Sequence, residues 1–198
     1  MARKWSNLDL PGALHFVTGN VVNRVPIFRQ DRCCLAFLEV LGTLVNEWPC
    51  KLIAYVLMPD HFHLIVNPQD GNIRQFGGAL KSLAANRIID LTNDKRFELN
   101  KPDVNGNIHK VWQESFKAMP LWSGWMISQK INYIHANPVR ARLVASARDY
   151  RWSSFRAFYS DSGEPLPVSH DWWWEDDDEK LSKAVRALGW RTYEKRSK

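Results

Sequence analysis

The chain has 198 residues, of which 45% are hydrophobic and 24% charged, and this fits one globular domain with an appendage. No apolar run approaches about 18 residues and no signal-peptide stretch opens the sequence, so we expect a soluble, cytoplasmic protein without a membrane span. The three cysteines, Cys33, Cys34 and Cys50, form no CxxC pair, which predicts free thiols and excludes a disulfide or zinc framework.

The net charge of +6 is unevenly distributed. Six of the 21 acidic residues lie between Asp171 and Glu179, so the rest of the chain carries 27 basic against 15 acidic side chains, a net charge of +12. A surplus of this size indicates a polyanionic partner, and nucleic acid is the usual one. Charge alone fits a merely soluble basic protein about equally well.

Hydrophobic periodicity predicts that the chain begins with a strand and a helix. Residues 14–22 are rich in β-branched and aromatic side chains, which favours a strand. Residues 31–48 predict a helix that Pro49 stops. The apolar residues at helical spacing in this segment are Leu35, Leu38, Leu41 and Val45.

A β-hairpin and a second helix are predicted next. The apolar stretches 51–57 and 61–67 flank the tight turn Met58-Pro59-Asp60, as two strands of a hairpin do. Residues 73–91 predict a helix, and the polar residues 93–109 predict an exposed loop. The side chains expected on the buried face of this helix are Phe76, Leu80, Leu83, Ile88 and Leu91.

A last strand and helix complete the predicted domain. Residues 111–119 predict a fourth strand, and residues 124–137 predict a helix that Pro138 ends. The order β-α-β-β-α-β predicts an α+β, ferredoxin-like (split βαβ) fold, an antiparallel sheet with helices on one face, plus a C-terminal helix. We expect this domain to span residues 1–160, and residues 161–198 to form a linker and an acidic, tryptophan-rich tail. The fold hosts many functions, so it decides none of them.

A His-x-His pair lies inside the third predicted strand. Side chains alternate between faces along a strand, so His61 and His63 share one face while Phe62, Leu64 and Val66 enter the core on the other. Two imidazoles this close can converge on one metal ion. The residues that follow lack the Asp-His of dinuclear metallohydrolases, which favours a single-metal site. A pair of surface or hydrogen-bonded histidines is the alternative.

Tyr133 and Asn137 lie four residues apart near the end of the last predicted helix, which places them on one face. The tyrosine could be a nucleophile and the asparagine amide oxygen a third metal ligand, because a metal-bound phosphate is a better electrophile. A tyrosine packed on the sheet, with Asn137 capping the helix before Pro138, explains the pair without chemistry. On spacing alone, that structural explanation is favoured.

Basic residues lie on both sides of this pair in the sequence. Lys81 and Arg87 belong to the second helix, and five arginines interleaved with aromatic residues follow the tyrosine helix. Such side chains could hold phosphates while aromatic rings stack on unpaired bases, or could form a solvated basic face. Trp152 and Phe155 are more typical of an aromatic core. The five arginines are Arg140, Arg142, Arg148, Arg151 and Arg156.

Four segments combine these features in order. They are Met58-Pro59-Asp60-His61-Phe62-His63-Leu64-Ile65-Val66, Lys110-Val111-Trp112-Gln113, Tyr133-Ile134-His135-Ala136-Asn137-Pro138-Val139-Arg140-Ala141 and Arg151-Trp152-Ser153-Ser154-Phe155. The first resembles the HUH signature of the single-tyrosine, IS200-like transposases. The third resembles the tyrosine helix of one branch, the REP-associated tyrosine transposases, and the others are similar to stretches of that branch. The likeness covers about residues 12–159.

The resemblance implies a compact domain that binds single-stranded DNA, often beside a hairpin (REP-like) element, and that works as a monomer or homodimer. It implies that Tyr133 attacks the scissile phosphate, giving a 5′-phosphotyrosine and a free 3′-hydroxyl, and that another 3′-hydroxyl then rejoins the strands. His61 and His63 match the metal ligands, and Asn137 matches the polar ligand. The metal would be Mg²⁺ or Mn²⁺, and nitrogen ligands make Mn²⁺ reasonable.

Two positions depart from the family pattern. Residues 116–120 lack the usual acidic residue or histidine, and Arg142 stands where glycine is common after the helix, so the local path of the chain could differ. Two other functions are considered: a module that binds hairpin DNA or RNA without cutting, and a metal-dependent hydrolase that uses water. The intact histidine pair and Tyr133 disfavour the first, and a covalent protein–DNA adduct would exclude the second.

Overall fold

The structure is a computed structural model that describes residues 9–10, 12–103, 105–106, 108–113, 117–160 and 165–171. In these ranges four strands and four α-helices follow one another in the order β1-α1-β2-β3-α2-β4-α3-α4. The strands are β1 (Leu14–Asn20), β2 (Cys50–Met58), β3 (His61–Pro68) and β4 (Lys117–Leu121). The helices are α1 (Asp31–Glu47), α2 (Ile73–Thr92), α3 (Gly124–Arg140) and α4 (Phe155–Ser160).

The strands form one antiparallel sheet in the order β2-β3-β1-β4, which is the predicted ferredoxin-like arrangement. β2 and β3 are the predicted hairpin, joined through a turn at Pro59 and Asp60. β1 lies between β3 and β4, and its register places Thr18 opposite His63 and Asn20 opposite His61. The end of β1 therefore lies beside the two histidines.

Helices cover both faces of the sheet, because its strands carry apolar side chains on both faces. On one face Phe62, Leu64 and Val66 pack with α1 and α2, as the alternation predicts. On the other face Ile65 packs with α3. The α3 side chains buried there are Ile127, Ile131 and Ile134. The arrangement agrees with the predicted sheet that has helices on one face and the tyrosine helix added separately.

Two leucines of α2 contradict the predicted buried face. Leu83 and Leu91 are 46% and 42% exposed, whereas Phe76, Leu80 and Ile88 are buried as expected. The buried row advances in four-residue steps through Ala84. Leu83 and Leu91 each lie three residues after a member of this row, which rotates them by about 60° away from it. Some apolar residues of α2 therefore lie outside the helix face that packs into the core.

The predicted end of α3 at Asn137 is also wrong, since the helix continues through Pro138 to Arg140. Pro138 is buried in the final turn, where its missing N–H removes a single helical hydrogen bond. The end is closed by N–H groups of Arg142 and Leu143, which donate to the carbonyls of Val139 and Pro138 at 2.9 Å. Arg142 has a φ of 56°, the left-handed conformation that glycine usually provides.

Part of the predicted exposed loop, residues 93–109, packs against the core. Phe97 is fully packed in the core, and the backbone pairs around it through Leu99 and Ile108 (2.8 Å). The predicted strand 111–119 begins with a bridge between Trp112 and Val21, and β4 starts only at Lys117. Buried Trp112 explains the apolar pattern at the start of this predicted strand. Its ring packs against Phe62, and its Nε1 donates to the Lys81 carbonyl at 2.7 Å.

The outer edge of β2 is paired with chain that follows α3. The Leu57 N–H donates to the Trp152 carbonyl (2.8 Å), and the Ser154 N–H donates to the Tyr55 carbonyl (2.9 Å). Further along, the Ser169 N–H donates to the Leu52 carbonyl (2.7 Å). Residues 165–171, which were expected to belong to the tail, thus lie along β2.

The remainder of the predicted linker and tail, residues 161–164 and 172–198, lies outside the described residues, and so do the tryptophan cluster and nearly all of the acidic run. None of the helices in the described ranges has both the length and the hydrophobicity of a membrane span. The three cysteines are free thiols, as predicted, and the structure buries all three.

Candidate functional site

The β2–β3 hairpin brings His61 and His63 to the sheet face that α3 covers. Their ring centroids lie 5.0 Å apart. Nδ1 of His63 is hydrogen-bonded to Oγ1 of Thr18 at 2.8 Å, and Nδ1 of His61 to Oδ1 of Asp60 at 2.6 Å. A partner on Nδ1 fixes the ring orientation and leaves Nε2 as the remaining coordinating atom, the arrangement common to metal-ligating histidines.

His63 is the more informative of the two. Its side chain is buried, and its Nε2 has no hydrogen-bond partner. Burial, together with the smaller effects of the nearby His61, Lys130 and Arg24, lowers the pKa of His63 to about 3. The imidazole is therefore neutral at neutral pH. A neutral ring with an unpartnered buried nitrogen is suited to bind a cation, and a merely hydrogen-bonded histidine would not leave that atom unpaired.

Tyr133 of α3 contacts His63 of this pair directly. Its ring centroid lies 5.3 Å from that of His63, and both pack against Phe16 of β1, with 5.2 Å between the Phe16 and His63 rings. Two cations flank the tyrosine: Lys130 Nζ lies 5.6 Å and Arg140 Cζ 5.8 Å from the ring centroid. Burial lowers the pKa of Lys130. The site therefore combines a half-buried phenol, a buried imidazole and positive charge.

Asn137 lies one helical turn after Tyr133, inside α3, so it does not cap the helix before Pro138. Its amide Nδ2 is buried and has no hydrogen-bond partner. No group of three or more His, Cys, Asp or Glu side chains suited to a metal occurs in the described part of the chain. A metal held here would therefore use two imidazoles and the amide oxygen of Asn137. The unpartnered Nε2 of His63 fits such a ligand set, whereas the unpartnered Nδ2 of Asn137 is a hydrogen-bond donor and does not bind a cation.

The predicted basic residues lie in different places. Arg140 belongs to the site, beside Tyr133, and Arg142 follows at the end of α3. Lys81 and Arg87 lie on α2, which packs on the opposite face of the sheet. Lys81 donates to the Gln113 carbonyl at 2.8 Å, close to the end of β1.

Two of these arginines are paired within the fold. Arg87 pairs with Glu39 (3.2 Å), and Arg151 pairs with Asp31 (3.7 Å). Arg151 also lies over the ring of Trp152, which is buried in the core as expected. Only Arg140 among the predicted phosphate-binding residues is thus in contact with the tyrosine.

Several residues of the site escaped the sequence interpretation. Thr18 and Asp60 orient the two histidines, and Lys130 and Arg24 place charge around them. The position of Asp60 directly before His61 was a usable signal for a partner of that ring. Thr18 could be found only from the register of β1 against β3, which a single sequence does not specify.

The chain is similar to known proteins in both sequence and fold. Residues 13–137 match the family described as "Transposase IS200 like", a segment that contains both histidines and Tyr133 and ends at Asn137. A Haemophilus influenzae protein named "Putative REP-associated tyrosine transposase" is 23% identical over 144 residues, or 73% of this chain and 80% of that protein.

A solved structure shares the fold. It is a REP-associated tyrosine transposase bound to a REP hairpin, with a TM-score of 0.59 and 18% sequence identity, over 89% of this chain and 94% of that one. The common fold extends well beyond residues 13–137 and reaches the segment after α3.

Proposed function

The chain belongs to the IS200-like transposase family, and from that premise we propose that it cuts and rejoins single-stranded DNA with Tyr133 as nucleophile and a divalent metal ion as cofactor. The observation that carries the proposal is the contact of Tyr133 with His63, 5.3 Å between ring centroids, where the buried Nε2 of His63 lacks a partner. Nucleophile and ligand atom thus share one small site.

The reaction forms one bond and breaks one in each step. The Tyr133 hydroxyl oxygen bonds to phosphorus, and the bond from phosphorus to the 3′ oxygen breaks. The phenolic proton is lost, and the leaving 3′ oxygen gains one, which gives a 5′-phosphotyrosine and a free 3′-hydroxyl. Attack by a second 3′-hydroxyl on the phosphotyrosine reverses the linkage and joins new strands. Lys130 and Arg140 lie over the Tyr133 ring, and their positive charge would stabilise the negative charge that develops on the attacked phosphate.

His61, His63 and Asn137 are the residues that would hold the metal, with Mg²⁺ or Mn²⁺ as the candidates. A bound divalent cation supplies charge that neutralises the attacked phosphate. Two imidazole ligands favour Mn²⁺ over Mg²⁺, which prefers oxygen. Thr18 and Asp60 contact the Nδ1 atoms and so orient the rings with Nε2 available as the ligand atom.

The proposed substrate is unpaired DNA next to a REP-like hairpin. Two observations support it: the positive charge beside Tyr133, and the REP hairpin held by the protein that shares this fold. Unpaired strands are bound by basic side chains that track the phosphates, so the affinity should fall steeply with salt.

The test incubates the protein with end-labelled, hairpin-flanked single-stranded DNA and Mn²⁺, and separates products on a denaturing gel. A covalent adduct is expected for the wild type and for Tyr159→Phe, a tyrosine on α4 whose side chain is exposed. No adduct is expected for Tyr133→Phe, which loses one oxygen and should fold and bind DNA normally.

Two outcomes would overturn the mechanism. An adduct on Tyr133→Phe, or mass spectrometry locating the DNA on another tyrosine, would remove the assigned nucleophile. Cleavage without any adduct would favour a hydrolase that uses water. Binding of the hairpin without cleavage in either metal would favour a binding module.

A further inference from the structure

The turn after β1 has an unusual backbone. Asn23 and Arg24 are consecutive residues with φ values of 51° and 55°. Asparagine tolerates the left-handed conformation, but arginine does so poorly, because its Cβ crowds the neighbouring carbonyl oxygen. Residues in this conformation cluster at ligand-binding sites, where the surrounding structure holds them in place. The turn therefore calls for a reason beyond connecting β1 to α1.

The surrounding structure fixes this turn against the hairpin that carries the histidines. The Val21 N–H donates to the Asp60 carbonyl (2.9 Å), and the Phe28 N–H donates to the Pro59 carbonyl (3.0 Å). These bonds lie before and after Arg24. Its backbone is thus tied to the turn that immediately precedes His61.

The side chain of Arg24 extends this connection. Its Nη1 lies 3.4 Å from Oδ2 of Asp60, while Oδ1 of the same carboxylate accepts from His61. The Arg24 side chain is still 56% exposed, and the contact involves a single terminal nitrogen at long range. An exposed ion pair of this kind adds little stability, so it does not account for the strained backbone.

The guanidinium is connected to the histidine pair through one carboxylate, that of Asp60. Arg24 therefore stands at the exposed rim of the histidine pair. Its exposed donors match the bidentate geometry of a phosphate.

We propose that Arg24 is a DNA-phosphate-binding residue at the rim of the histidine site, and that the left-handed turn exists to aim it there. The inference rests on the proposed function and adds a contact to the DNA strand. A bound phosphate replaces the Asp60 carboxylate as the partner of the Arg24 guanidinium, and Asp60 keeps its hydrogen bond to His61.

The test measures affinity for labelled, hairpin-flanked single-stranded DNA in EDTA, so that binding is read without cleavage. Arg24→Gly is expected to lower the affinity about tenfold and to reduce the slope of log affinity against log salt by about one, as one lost phosphate contact does. Its melting temperature should equal or exceed that of the wild type, because glycine adopts the left-handed conformation without strain.

Two control variants separate the charge from the backbone. Asn23→Gly frees the same turn but keeps the guanidinium, and it should bind DNA like the wild type. Arg74→Ala removes another exposed arginine that is paired with an aspartate, at the start of α2, and should leave the salt slope unchanged.

Wild-type affinity and salt slope in Arg24→Gly would overturn the inference, and so would an equal loss in Asn23→Gly, since turn flexibility would then be the cause. A wild type that binds DNA but forms no adduct contradicts the cleavage proposed above. The affinity comparison still decides the role of Arg24 in that case.

Discussion

Gly19 and Phe62 lie directly opposite each other in β1 and β3, and a Cβ on Gly19 would come within 2.3 Å of the Phe62 ring. Their neighbours in register are the pairs Thr18–His63 and Asn20–His61. The absent side chain thus lets the Phe62 ring lie over β1 on one face of the sheet, while the two histidines are held on the other.

The first prediction concerns Gly19→Ala. The Phe62 ring is packed 4.7 Å from Phe37 and 5.5 Å from Trp112, so it cannot move away cheaply. We expect the free energy of unfolding to fall by about 1–3 kcal/mol, the usual cost of overpacking, when measured by urea denaturation. Gly78→Ala in α2 is the control, because a Cβ there meets nothing within 4 Å. It should stabilise the protein by about 0.5–1 kcal/mol. Equal stability of the two variants would contradict the steric argument.

The second prediction concerns the metal ligands. Calorimetric titration should show Mn²⁺ binding to the wild type and none to His61→Ala or His63→Ala, with adduct formation lost in both. Both variants should fold, since removing His63 also removes a buried nitrogen without a partner. His109→Ala, in the segment before β4, should bind Mn²⁺ normally. Unchanged Mn²⁺ affinity in either histidine variant would contradict the proposed metal site.

The third prediction tests whether Thr18 orients His63. Thr18→Val keeps the shape but loses the hydroxyl that contacts Nδ1. We expect Mn²⁺ affinity to fall about 10–100-fold, the usual effect of losing a hydrogen-bond partner behind a ligand. Thr43→Val, on the exposed side of α1, is the matched control. A wild-type Kd in Thr18→Val would show that the ring needs no such support.

The fourth prediction concerns Arg142→Gly. Glycine adopts the left-handed conformation at the end of α3 without the strain that a Cβ brings, so the variant should be about 1 kcal/mol more stable in urea denaturation. Arg142→Ala loses the same charge but keeps the strain, and should gain nothing. If both variants gained equally, charge and not backbone conformation would be responsible.

The fifth prediction concerns alkaline pH. Burial raises the pKa of Cys50 to about 12, and it also raises the pKa values of Cys33, Cys34, Tyr55 and Tyr150. The folded state keeps these protons where the unfolded state loses them, so the free energy of unfolding should fall as pH rises above about 9. Urea denaturation between pH 7 and 10 measures this.

The same burial predicts thiol reactivity. Ellman's reagent at pH 8 should react with the three thiols only after denaturant is added, because thiolates are the reactive form. Fast reaction of a folded thiol, or flat stability between pH 9 and 10, would contradict the burial of these groups.

Local pattern was enough to predict most of the fold. The alternation from His61 to Val66 identified which side chains face the core, because one strand imposes a strict period of two. Prediction of helix ends was weaker. Pro138 costs a single hydrogen bond in a final turn, so packing outweighs it, and Leu83 looks buried by composition although it lies off the packed row.

Only the site residues that belong to a recognisable sequence motif could be predicted. His61, His63, Tyr133 and Asn137 were named from spacing and resemblance, and α3 brings Tyr133 against His63. The contacts of Thr18 depend on the register between two strands that are far apart in sequence. The strained backbone of Arg24 has no signature in its residue type, and only the folded chain reveals it.

The pairing along the outer edge of β2 bears on how the chain can be shortened. A chain cut at residue 160 would leave the Leu52 carbonyl and the Tyr55 hydroxyl without Ser169 and Leu166, their partners in the intact protein. It would also lose the ion pair between Lys51 and Asp171. A bare stretch of sheet edge is a template for another strand, so the shortened chain should self-associate. Residues 165–171 thus cover the edge of β2 and should prevent another chain from pairing with it.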